Sequence, residues 1–202
     1  MAKKITELLL AAIGNSPSGI ATLDVLESLG LCDRNTLKTS LSRLGKAGRI
    51  IRLKRGVYST APLRDAFVAA TAVFGGYLGF TSALYLHGLI TETPFRITVV
   101  TPGISASKTF GAYEFRAVAL REKAVGFERK GDYVVSTRAK TLFDCIYLPE
   151  YAVDVNKLEE AFRQAGLDDR EWAEFDDYAK RFAGRKGTGR FTETKLKISG
   201  RG

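Results

Sequence analysis

Between Asp33 and Gly48, Leu37, Leu41 and Leu44 recur at helical spacing, and the chain then passes at once into RIIRLKRGVYS. Asp33 is a capping residue type and Gly48 a closing one, so the spacing predicts a helix over about residues 34–47. Its leucines share one face. Asn35, Lys38, Thr39, Ser42, Arg43 and Lys46 fall on or beside the other. The segment that follows reads as a hairpin. Ile51 and Leu53 are expected on one side of its first strand, with Arg52 and Lys54 on the other. Arg55-Gly56 suits the turn, because glycine adopts positive φ without steric cost.

Two helices are expected ahead of this pair. Ile5, Leu8, Leu9, Ala12 and Ile13 form a stripe over about residues 3–13, broken by Asn15-Ser16-Pro17-Ser18-Gly19. Ile20-Ala21 suits a short strand. Thr22 can cap a helix over Leu23–Leu29, closed by Gly30. Three helices and a hairpin in about sixty residues is the order of a winged helix-turn-helix. In that fold the third helix enters the major groove and the hairpin lies against phosphates.

Charge points the same way. Residues 1–60 hold ten Lys or Arg and four Asp or Glu, although the whole chain carries only +9. A duplex presents one negative charge per ~1.7 Å of axis, which a cationic hairpin tip would meet. Asn35, Thr39 and Ser42 are groove-reading types, with Lys38, Arg43 and Lys46 among them. Arg49, Arg52, Lys54 and Arg55 suit phosphates, which position without specifying sequence.

Ala61-Pro62 predicts a junction, giving domains of 1–60 and 61–183. In the second, helices are expected at about 62–74, 80–88, 155–165 and 170–183, with a further one capped by Ser136 or Thr137 and running through Tyr147. Strands are expected at 95–101, 111–118 and 132–135. The predicted class is therefore α+β, a winged helix-turn-helix followed by a mixed α/β domain. Residues 184–202 are rich in glycine and cations and are expected to form a basic flexible tail.

No apolar run approaches a membrane span, and Glu7 interrupts the only signal-like stretch, so the expectation is a cytoplasmic protein. Cys32 and Cys145 read as buried or half-buried thiols. His87 reads as a helix-end packing or hydrogen-bonding group. The acids between Asp168 and Asp177 read as a solvated helix face, with no EF-hand alternation. A nuclease would need clustered carboxylates and a lysine on adjacent strands. Glu114 and Asp132 lack such a Glu-x-Lys companion, and no Gly-rich phosphate loop is present. The expectation is a non-enzyme without metal or other cofactor.

Three segments together resemble the AbiEi-type antitoxins of type IV toxin–antitoxin systems. The first, residues 75–103, carries Ser82-Ala83-Leu84, His87-Gly88-Leu89-Ile90 and Pro94 ahead of FRITVVT. The second, residues 132–151, carries Lys140, Leu142, Asp144, Tyr147 and Leu148. The third is RGVYS after the hairpin turn. Where that family usually has Pro-Glu-Lys-Ala, this chain has Thr137-Arg138-Ala139-Lys140. The resemblance implies a repressor of its own operon, bound as two copies to inverted repeats in double-stranded promoter DNA. It also implies a functional partner, a nucleotidyltransferase-like toxin, in phage defence. A winged-helix regulator without a toxin partner is the alternative.

Overall fold

The computed structural model describes residues 2–200, and the side chains of all of them except residues 2, 3 and 185–187. The chain is a mixed α+β protein of two compact units, Met1–Val73 and Phe74–Gly202.

The first unit begins with α1 (Ala2–Asn15), whose Leu9 and Ile13 are fully buried. It continues through β1 (Ile20–Thr22), α2 (Leu23–Ser28), α3 (Arg34–Lys46), β2 (Ile50–Lys54) and β3 (Val57–Thr60). The helix starts follow from local chemistry. The Thr22 hydroxyl accepts from the Val25 amide at 3.3 Å, and Asp33 Oδ1 accepts from the Asn35 and Thr36 amides at 2.9 and 3.0 Å. Each satisfies amides that a helix start leaves without partners. The strands form an antiparallel sheet in the order β1-β3-β2. Leu37, Leu41 and Leu44 of α3 pack with Leu9, Ile13, Leu26 and Ile50.

Helix α4 (Ala66–Phe74) closes this part of the chain, and the units divide at Val73/Phe74, not near residue 60. Contacts of the connecting segment account for the shift. The Arg64 guanidinium donates to the Gly14 carbonyl, and the Thr60 hydroxyl donates to the Pro62 carbonyl. The residues after the hairpin are thereby held to the end of α1.

The second unit contains β4 (Tyr77–Leu78), α5 (Phe80–Leu86), β5 (Arg96–Thr101), β6 (Ala106–Phe110) and β7 (Tyr113–Ala119). Then come β8 (Phe127–Lys130), β9 (Tyr133–Ser136), α6 (Arg138–Tyr147), α7 (Val155–Ala165), α8 (Asp169–Phe182) and α9 (Gly184–Ser199). The six strands form a mixed sheet in the order β6-β7-β5-β4-β9-β8. Gly76 makes β4 possible, because a Cβ there would lie 2.0 Å from the Val100 carbonyl oxygen. Helix α6 runs through the core, where Leu142 and Phe143 meet Phe162, Phe175 and Phe191.

The expected flexible tail is instead α9, and this corrects the sequence reading. Phe191 stacks on Phe143 with ring centroids 4.9 Å apart, and Thr194 and Ile198 are buried beside it. Spacings of three and four bring these residues onto one face. Lys195 pairs with Asp176 at 2.6 Å, and Lys197 lies 3.4 Å from Glu159. The acidic stretch is correspondingly only partly solvated. Glu171 pairs with Arg138, and Glu174 accepts from the Thr137 and Tyr178 hydroxyls. The expected tail cations Arg185, Lys186 and Arg201 lie outside the described side chains.

Cys32 is half-buried and Cys145 buried, as expected. His87 sits at the C-terminal cap of α5, and its Nε2–H donates to the Ser136 carbonyl at 2.7 Å. Burial holds its pKa below the ordinary histidine value, although that carbonyl and Glu128 oppose the shift.

Candidate nucleic-acid interface

Helix α3 presents its polar side chains because its leucines are consumed by the core. Leu37, Leu41 and Leu44 are almost fully buried, whereas Asn35, Lys38, Thr39, Ser42, Arg43 and Lys46 are all exposed. The Thr36 hydroxyl and amide hold the Asp33 carboxyl below its usual pKa, against a smaller opposing effect of burial. The helix N-terminus therefore keeps its anionic cap. At the other end Gly48 takes φ +66°, and the Arg49 amide donates to the Leu44 carbonyl at 3.0 Å. That closure turns the chain into β2.

The hairpin differs from simple alternation. Its register shifts between Arg52, opposite Tyr58, and Lys54, opposite Val57. Leu53 is the extra residue of this bulge. As a result Ile50 and Leu53 are the buried pair, and Ile51, expected to share a side with Leu53, is only half-buried. A bulge advances the strand by one residue, which breaks the period of two. Arg52, Lys54 and Arg55 stay exposed as expected. Gly56 takes φ +75° at the turn, and its carbonyl accepts from the Leu23 amide at 2.7 Å. The short tip is thus tied to the start of α2.

A concavity of about 640 Å³ lies between α3 and the hairpin. Five cations line it, Arg34, Lys38, Lys46, Arg52 and Arg55, and one carboxylate, Asp24. Ser42 joins them. Asn35, Thr39, Arg43, Arg49 and Lys54 do not line this surface. Among them Asn35, Thr39 and Arg43 follow one another at four-residue spacing on the exposed side of α3. Arg49 is the least available of the expected residues, because its guanidinium pairs with Glu7 at 3.0 Å. By contrast Lys38, Arg43, Lys46, Arg52, Lys54 and Arg55 have no ion-pair partner among the described residues.

Sequence reasoning missed Arg34. It lines the concavity while pairing with Glu27 at 3.3 Å. Its position four residues before Lys38 on the same helix was the available signal.

Among the described residues, no three or more His, Cys, Asp or Glu side chains come together as a metal site requires. No described helix is long and apolar enough to cross a membrane. In comparisons with known proteins, the chain matches no family model and no curated protein.

Proposed function

We propose that the first unit is a winged helix-turn-helix that binds double-stranded DNA. On this reading α3 lies in the major groove and the β2–β3 hairpin lies on the flanking phosphates. The observation that carries it is the concavity between α3 and the hairpin, with five cations against one acid. Two further features support it. The elements run α-β-α-α-β-β, and six cations on α3 and the hairpin have no acidic partner among the described residues. Structural charges are ordinarily paired or scattered, whereas a polyanion footprint gathers one sign on one surface.

The resemblance to AbiEi-type antitoxins extends the proposal. The protein would repress its own operon from inverted repeats, two copies at a time, and oppose a nucleotidyltransferase-like toxin without itself being an enzyme. A regulator without a toxin partner is the second reading. It is favoured by a lined cavity in the second unit, the kind of place where an effector would sit. A nucleotidyltransferase-like gene immediately downstream is expected for the antitoxin, and its absence would leave the regulator.

The direct test is fluorescence anisotropy of the full chain on a labelled duplex at rising salt. If all six unpaired cations meet phosphates, the log–log slope is about −5. Affinity that ignores salt would overturn the reading.

A second expectation concerns base readout by α3. Alanine at Asn35 or Lys38 is expected to relax discrimination at one base pair by about 1–3 kcal/mol, provided the contact is bidentate. Competition with single-base operator variants measures this. Equal weakening on every variant would restrict both residues to the backbone.

A further inference from the structure

The second unit carries a concavity of about 360 Å³ over the polar face of β5 and β7. That volume lies within the roughly 300–1,000 Å³ range of small-molecule sites. Its charged floor is built by strand register. Arg96 pairs across to Glu114, and Thr98 to Arg116, so all four side chains lie in two adjacent rows of one sheet face. Glu114 bridges the two arginines. Its Oε2 accepts from Arg96 Nε at 2.8 Å, and its Oε1 accepts from an Arg116 terminal nitrogen at 3.1 Å.

The arginines hold the Glu114 carboxyl below its ordinary pKa, Arg96 most strongly, so the bridge stays ionised at neutral pH. It fixes the spacing of two guanidiniums without exhausting them. Each guanidinium has five N–H donors, of which the bridge uses one. The Arg96 and Arg116 side chains remain 43% and 25% exposed.

Aromatic groups flank the same donors. The Arg116 guanidinium lies 5.6 Å from the Tyr151 ring centroid, and Arg96 lies 5.5 Å from that of Phe95. Phe95 is 65% exposed and lines the concavity beside Arg96. Ile90, Pro94 and Val153 supply aliphatic wall. At the rim Lys157 is paired with Glu92.

We propose that this concavity binds a small carboxylate bearing a flat apolar group, an aromatic or heteroaromatic acid. The two guanidiniums would receive the carboxylate in the fork geometry that suits planar oxyanions. The ring would lie between Phe95 and the aliphatic wall. Charge balance selects a carboxylate over a phosphate. Arg96, Arg116 and Lys157 line the concavity with Glu92 and Glu150. Glu114, which bridges the two arginines without lining it, balances the remaining charge, so the surroundings offer directed donors with no excess positive charge to hold a dianion. The proposal is independent of DNA binding, since every residue in it belongs to the second unit.

The test titrates the full chain with 2-naphthoate, adenosine 5′-monophosphate and inorganic phosphate, following the arginine Nε–Hε resonances by NMR. Saturable 2-naphthoate binding that shifts the Arg96 and Arg116 signals is expected. Arg116→Met should weaken it at least tenfold, and Arg129→Met, on the exposed strand β8, should leave it unchanged. Phe95→Ala removes an exposed ring without touching the core and should weaken binding several-fold, which keeps the test decisive should Arg116→Met fail to fold. No saturable response to 2-naphthoate overturns the proposal, as does an equal or tighter response to either phosphate compound. The Arg52, Lys54 and Arg55 alanine variant should bind 2-naphthoate like the wild type, so this site and the DNA interface fail separately.

Discussion

Alanine at Arg52, Lys54 and Arg55 together is expected to weaken binding of the full chain to every duplex alike. It should also reduce the slope of log affinity against log salt by about three. The three side chains are exposed, and none has an acidic partner among the described residues, so removing them costs the fold little. The hairpin keeps Leu53 in the core and the Leu23 amide on the Gly56 carbonyl. Between about 50 and 200 mM salt, six neutralised phosphates imply roughly a 10³-fold loss of affinity, and three imply about a 40-fold loss. The variant should therefore be weaker at low salt and less sensitive to salt thereafter. Arg49→Ala is the internal comparison. Its partner Glu7 already offsets its charge, so its effect on the slope should fall below that of one free cation. A triple variant with the wild-type slope would mean that the hairpin does not touch phosphate.

The parts of this interface written locally in the chain were legible there. Asp33, Thr22 and Gly48 act through groups within a few residues, Gly56 shows as a turn through its own positive φ, and a leucine period of three and four needs no partner to be seen. The bulge at Leu53 was not legible. It exists only relative to β3, and the strand by itself reads as plain alternation. The same reason hid β4, which is two residues long and owes its place to β5 and β9.

β6 and β8 are the edge strands of their sheet, and their ASKTF and FERK lack an apolar alternation because so little of them is buried. Helix α9 shows the converse error. Its glycines oppose helix formation, but Phe191, Thr194 and Ile198 gain a buried surface that no local rule anticipates. The Arg96–Glu114–Arg116 cluster likewise depends on the parallel register of β5 with β7. In the sequence Glu114 was weighed only as a nuclease carboxylate.

The largest effect on stability is expected at Lys140. Lys140 and Asp144 stand one turn apart on α6, both fully buried, with Lys140 Nζ donating to Asp144 Oδ1. Asp144 Oδ2 is buried with no hydrogen-bond partner among the described residues. Burial pushes the Asp144 carboxyl up to about 6 and the Lys140 ammonium down, and each opposes the other's shift. A pair of this kind is held together by its members while each would be cheaper outside. Lys140→Met should therefore cost about 3–5 kcal/mol at neutral pH, because it leaves a buried carboxylate uncompensated. Lys140→Met with Asp144→Leu should recover most of that loss, since an apolar pair of similar volume removes both desolvation penalties.

The pH dependence has a definite sign. A carboxyl whose folded pKa exceeds its unfolded value keeps a proton that the unfolded chain releases. Its contribution is greatest below about pH 4 and is lost as pH rises through about 6. Lys140 opposes that rise, so Lys140→Met lifts the Asp144 carboxyl further, and the single variant should lose less at pH 5 than at pH 7. The double variant has no titrating carboxyl here and should lack that larger loss at pH 7. Trp172 is the only tryptophan and packs edge-on against Phe175 in the second unit, so its fluorescence in urea reports the unfolding of that unit. If the double variant proves as unstable as the single one, the ion pair outweighs its own desolvation. It would then be a net source of stability in the second unit, contrary to what burial of both charges leads us to expect.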